Sequence, residues 1–157
     1  MKSEGLSPIV QTIAGILFPI TFIFALYVIV HGHLTPGGGF QGGAIGASAV
    51  VMLIVAFGSK KIRDKMSEEG ISSFESIGGI IFVITALLGL IMATTFLSNF
   101  LVDEALFGEI PVWGSNSGIL NSGGILPVLN VAIGMKVIGG LSVVVLLMAL
   151  ASKEEEK

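Results

Sequence analysis

The 157-residue chain contains no cysteine. That excludes disulfides, thiolate metal sites, iron–sulfur ligation and cysteine nucleophiles within it. Charge is scarce as well: 12% of the residues are Asp, Glu, Lys or Arg, against about 25% in an average soluble domain. The small net charge of −3 forms no clustered basic face, so nucleic acid is not an expected partner. No metal-ligand cluster and no pair of intramembrane acids stands in the sequence. No catalytic residue, no metal and no cofactor are therefore expected in this chain.

What is present is apolar. Hydrophobic residues make up 53% of the chain, and its mean hydropathy is +0.96. A bilayer core of about 30 Å needs about 20 apolar residues in a helix. Four segments meet that need, at approximately 9–30, 41–58, 76–97 and 126–151. The expected fold is an all-α membrane protein with four transmembrane helices, a single domain over residues 1–157. The first span is too long for the apolar core of a cleaved signal peptide. Pro19 falls inside it and should kink it, which membrane helices tolerate.

Orientation follows from lysine and arginine. Lys60, Lys61, Arg63 and Lys65 lie between spans two and three, and Lys2, Lys153 and Lys157 lie at the termini. The other two connections hold neither residue type. The positive-inside rule then puts both termini and the central loop in the cytoplasm, the chain being multi-pass in the cell membrane. The outward loop Ser98–Ile125 is acidic, with Asp103, Glu104 and Glu109. It reads as a solvated loop with a short interfacial helix near Val102–Phe107 and Trp113 at the headgroups. A cation-attracting vestibule, or a lid docking on a partner subunit, is the sharper alternative.

The segment HGHLTPGGGFQGG, residues 31–43, separates the first two spans. Gly32 suits a left-handed helix cap, Thr35-Pro36-Gly37 reads as a turn, and Gln41 opens the next helix. Gly38, Gly42 and Gly46 form one row at four-residue spacing, and Gly39 and Gly43 another. Such rows allow close helix crossing in lipid; the cover is either this chain's own spans or another protein. His31 and His33 fit capping and interfacial hydrogen bonding, or a proton or cation relay at a channel mouth, histidine being the side chain that changes charge near neutral pH. Metal ligation is the weakest reading, since residues two apart point to different sides of a helix.

Lys136 is the one fully charged residue well inside a span, in the setting NVAIGMKVIGG with Asn130. It lies about 15 Å beyond Leu126 at about 1.5 Å per residue. A lysine there marks an ion or proton pathway by default, unless it bridges helix carbonyls at a subunit contact. Lys136, His31, His33 and Asn130 are thus the pathway candidates. No span offers an internal carboxylate as counter-ion, because Glu75 is expected just outside the third span. Either a hydrated cavity or another polypeptide must then satisfy Lys136.

HGHLTPGGGFQGG, continued by AIGASAVVMLIVAFG, resembles the signature of the MnhB-type subunit of Mrp/Mnh multisubunit sodium/proton antiporters. The resemblance covers essentially the whole chain. It is similar as well to MnhB-like subunits in the membrane arms of ferredoxin-linked complexes, such as archaeal membrane-bound hydrogenases and sulfur-reducing relatives. It implies an accessory membrane subunit of a sodium/proton translocating complex, with Mrp-like antiporter and small subunits as partners. In the archaeal setting it implies a redox module too, and so a subunit of a larger oxidoreductase. The family carries no catalytic residue onto this chain. The alternatives are the MnhB-type subunit of a stand-alone Mrp antiporter and a packing subunit with no ion path.

Overall fold

A computed structural model describes residues 5–110 and 118–154. Among these residues the secondary structure is helical: α1 (Pro8–Val30), α2 (Gly38–Phe57), α3 (Ser59–Lys65), α4 (Glu68–Ala93) and α5 (Leu126–Glu154). All but α3 are long and apolar enough to cross a membrane. The chain is an all-α, multi-pass membrane protein.

Local chemistry sets the helix ends. The Ser7 hydroxyl accepts from the Val10 N–H at 3.5 Å, and Pro8, which has no N–H to leave unpaired, takes the first position of α1. The helix continues through Pro19. At α4 the Ser67 hydroxyl accepts from the Gly70 N–H at 3.1 Å, and Glu68 and Glu69 face the positive end of the helix dipole. Ser67 therefore starts α4 at Glu68, well before the expected Ser76. The apolar window alone hides this early start, because the first two turns are polar. α2 likewise starts before the expected Gln41. Gly37 has φ +133° and Gly38 φ +59°, a region that favours glycine, so the chain turns directly into the helix. The central basic loop contains the unforeseen α3, whose Ile62 is buried.

α2 and α5 form the centre. α1 packs on α2 and more lightly on α5, and α4 packs chiefly on α5. The glycine rows make this possible, and this chain's own spans cover them. A Cβ on Gly43 would lie 2.6 Å from Val137 Cβ, and one on Gly39 would lie 2.3 Å from the Asn130 carbonyl oxygen, both on α5. A Cβ on Gly42 would lie 2.5 Å from Ile29 on α1. The Gly39–Gly43 row therefore serves α5, and the other row is shared, with Gly42 against α1 and Gly38 and Gly46 nearest to α5. Below them Val50, Ile54, Ile62, Ile71 and Leu146 form a buried cluster near α3.

The outer connection is not helical over Val102–Phe107. It forms successive turns, with Asp103 and Phe107 at positive φ. Two asparagines tie it together. Asn99 accepts from the Ile125 N–H at 2.8 Å and donates to the Gly123 carbonyl at 3.2 Å. Asn121 accepts from the Phe107 N–H at 2.7 Å and donates to the Ala105 carbonyl at 3.3 Å. The Asn121 bonds explain the departure: its amide satisfies backbone groups of Ala105 and Phe107 that a helix would have used itself. Trp113 lies outside the described residues.

Candidate functional site

α4 and α5 approach closely because each gives up a side chain where they meet. A Cβ on Gly78 would lie 2.6 Å from the Ala132 carbonyl oxygen. A Cβ on Gly139 would lie 2.8 Å from Glu75 Cβ and 3.1 Å from Glu75 Cα. Gly139 thus seats the backbone of Glu75 directly on α5. The carboxylate then runs alongside Gly140 and reaches Lys136, whose Nζ donates to Glu75 Oε1 at 3.4 Å.

This pair corrects the expectation that no span offers Lys136 a counter-ion. α4 begins at Glu68, so Glu75 sits about 10 Å along the helix at about 1.5 Å per residue. It is inside a membrane-length helix and belongs to this chain. A signal was present in the sequence. Ser67-Glu68-Glu69 is a helix start with acidic residues in its first turn, and starting α4 there would have moved Glu75 inward. The roles of Gly78 and Gly139 are readable only once α4 and α5 are set side by side.

The pair is not enclosed. The Lys136 side chain is 48% exposed and that of Glu75 34%. At 3.4 Å the contact uses one of the three lysine donors. A charged pair half open on the flank of membrane-spanning helices cannot be solvated by lipid tails.

The other candidates lie elsewhere. The Asn130 carboxamide oxygen accepts from the Gly39 N–H at 3.3 Å. No side chain caps α2 from its own Gly37, so α5 supplies an acceptor to one of the unpaired amides that every helix start leaves. His31 ends α1, with Nδ1 3.2 Å from the Tyr27 carbonyl oxygen and its ring 4.0 Å from the Tyr27 ring. His33 lies under the outer connection, where a Cβ on Gly123 would be 3.2 Å from its ring. Both His33 ring nitrogens are buried, with no hydrogen-bond partner among the described residues. The structure therefore gathers His33, Asn130 and the glycine turn near one end. It sets Lys136 with Glu75 on the α4–α5 flank.

Residues 9–143 match the family model described as a domain related to the MnhB subunit of the Na+/H+ antiporter. The chain belongs to the MnhB-related family. A putative MnhB2 antiporter subunit of Staphylococcus haemolyticus is 30% identical over 106 residues, covering 66% of this chain and 74% of that protein. An uncharacterized protein of Methanocaldococcus jannaschii is 29% identical over 158 residues, which takes in 96% of this chain. A chain in the structure of the membrane-bound sulfane sulfur reductase, an archaeal respiratory membrane complex, superposes with a TM-score of 0.72 at 38% identity over 94% of this chain. This MnhB-related chain spans 58% of the Methanocaldococcus protein and 60% of the sulfane sulfur reductase chain.

Proposed function

We propose that this MnhB-related chain is an accessory subunit in the membrane arm of a redox-driven complex that translocates sodium and protons. The observation that carries this reading is the Glu75–Lys136 pair, half open on a membrane-spanning flank. Such a pair needs neighbouring protein or confined water. The likeness to a chain of an archaeal respiratory complex supports a redox-driven setting. In this reading Lys136 and Glu75 set the charge beside an ion path that the neighbours complete. His31, His33 and Asn130 hold the α1–α2 turn at its mouth. Both termini and α3 face the cytoplasm of the cell membrane, by the lysine and arginine distribution. The partners are Mrp-like antiporter subunits and small membrane subunits, with a redox module attached.

The test is to tag the chain in its native cell, solubilise the membranes gently and identify what co-purifies. A redox module together with antiporter-type subunits is the expected result. Antiporter-type subunits without a redox module would move the chain to a stand-alone antiporter. A chain that purifies alone would overturn the proposal.

A further inference from the structure

The exposed surface is not uniform. The outward face of α1 carries Ile9, Ile13, Ile16, Ile20 and Ile23, which suits lipid. The α4–α5 flank is different. On α4, Ser72 and Ser76 are exposed and Gly79 is half-buried one turn further on. On α5, Lys136 is exposed and Gly140 half-buried one turn beyond it. The two rows are joined at the ion pair. A Cβ on Gly79 would stand 3.6 Å from Lys136 Nζ, and one on Gly140 would stand 3.7 Å from the Glu75 carboxylate oxygens. Two serines, two glycines and an ion pair thus share one strip.

We infer that this strip seats a transmembrane helix of another subunit, one that presents an oxygen acceptor from an Asp, Glu, Asn or Gln side chain level with Lys136. The inference rests on the proposed membership of a multisubunit complex. A helix is the element that satisfies its own backbone inside a membrane. Gly79 and Gly140 remove the bulk that would hold it away, as small residues do at membrane helix contacts. The acceptor is specified by Lys136, which has donors left after its contact with Glu75. Lipid tails offer no acceptor, and a lysine so placed is costly unless it is paired or hydrated.

The test places a small diazirine-bearing amino acid at Ser76, an exposed position of the strip, in the complete complex in native membranes. After irradiation the attached peptide is mapped by mass spectrometry. The expected product is a peptide from a membrane helix of a different subunit, with an Asp, Glu, Asn or Gln within one turn of the attachment. Lys136→Met should lower its yield at least fivefold, whereas Lys136→Arg should preserve it. Attachment to phospholipid, to a second copy of this chain, or to a helix without such a residue overturns the inference while leaving the complex intact. A chain that co-purifies with no other subunit overturns the proposed function and, with it, this inference.

Discussion

Gly139→Ala adds a single methyl group at the closest point between α4 and α5. That carbon would sit 2.8 Å from Glu75 Cβ and 3.1 Å from both Glu75 Cα and N. Ordinary carbon–carbon contacts lie at about 3.5–4.0 Å, so the shortfall is about 0.7 Å or more. The atoms in the way are backbone and Cβ, which no rotamer can move aside. α4 must retreat as a body, and the Glu75–Lys136 contact, already at 3.4 Å, opens toward or past 4 Å. Overpacking of this kind costs about 1–3 kcal/mol. A clash with backbone atoms puts the cost in the upper part of that range, above the roughly 1 kcal/mol by which alanine is the better helix residue. Gly15→Ala on α1 is the matched control, because nothing lies within 4 Å of its added carbon. The assay is the thermal unfolding midpoint of the purified protein or of its complex. Gly139→Ala should lower it by several degrees, and Gly15→Ala should leave it equal or raise it. Equal midpoints for Gly139→Ala and the unmodified chain would refute the claim that Gly139 sets the distance between the two helices.

Three further outcomes follow from the same contacts. Asn130→Ala removes the acceptor for the Gly39 N–H and should cost about 1 kcal/mol, as the loss of a helix cap does; hydrogen exchange should speed up at the start of α2, and Asn130→Asp, which keeps an oxygen, should restore protection. Lys136→Met should abolish ion coupling and reduce the amount of assembled complex, because it leaves the Glu75 carboxylate on a membrane-spanning flank without its cation. The double variant Glu75→Gln with Lys136→Met removes the unpaired charge but not the missing donor, so assembly should recover only in part and coupling not at all; full recovery of both would mean that the pair is structural only. Ser142 has a buried hydroxyl without a partner, and leaving such a group buried costs about 1–3 kcal/mol. Ser142→Ala should therefore be at least as stable in a denaturant titration, and a clear loss would show that the hydroxyl is satisfied in the assembled protein.

The four spans were legible because length and apolarity alone decide them, and the glycine rows because their four-residue spacing is a helix face. Which helix each row meets was not legible. Nothing in Gly39 or Gly43 says that α5 will lie against them, since spans separated by long connections carry no register. The missing counter-ion came from fixing α4 by its apolar window. Ser67 was the better guide, because a helix begins where its first amides find an acceptor and not where its residues become greasy. The outer connection departs from a helix for a related cause: Asn121 competes for the backbone of Ala105 and Phe107 from beyond the segment, and the segment's own residues do not show it.

The order of the helices along the chain has a consequence for biogenesis. α4 packs chiefly on α5, which follows it in the chain. Until α5 emerges, the α1–α2 hairpin stands with its Gly39–Gly43 face bare, and α4 waits in the bilayer with Glu75 lacking its lysine. The insertion of α5 closes both seams at once, through a hydrogen bond between residues as far apart as Gly39 and Asn130 and through the ion pair. Synthesis stopped short of α5 would leave two unjoined pieces, one of them carrying Glu75 without its lysine.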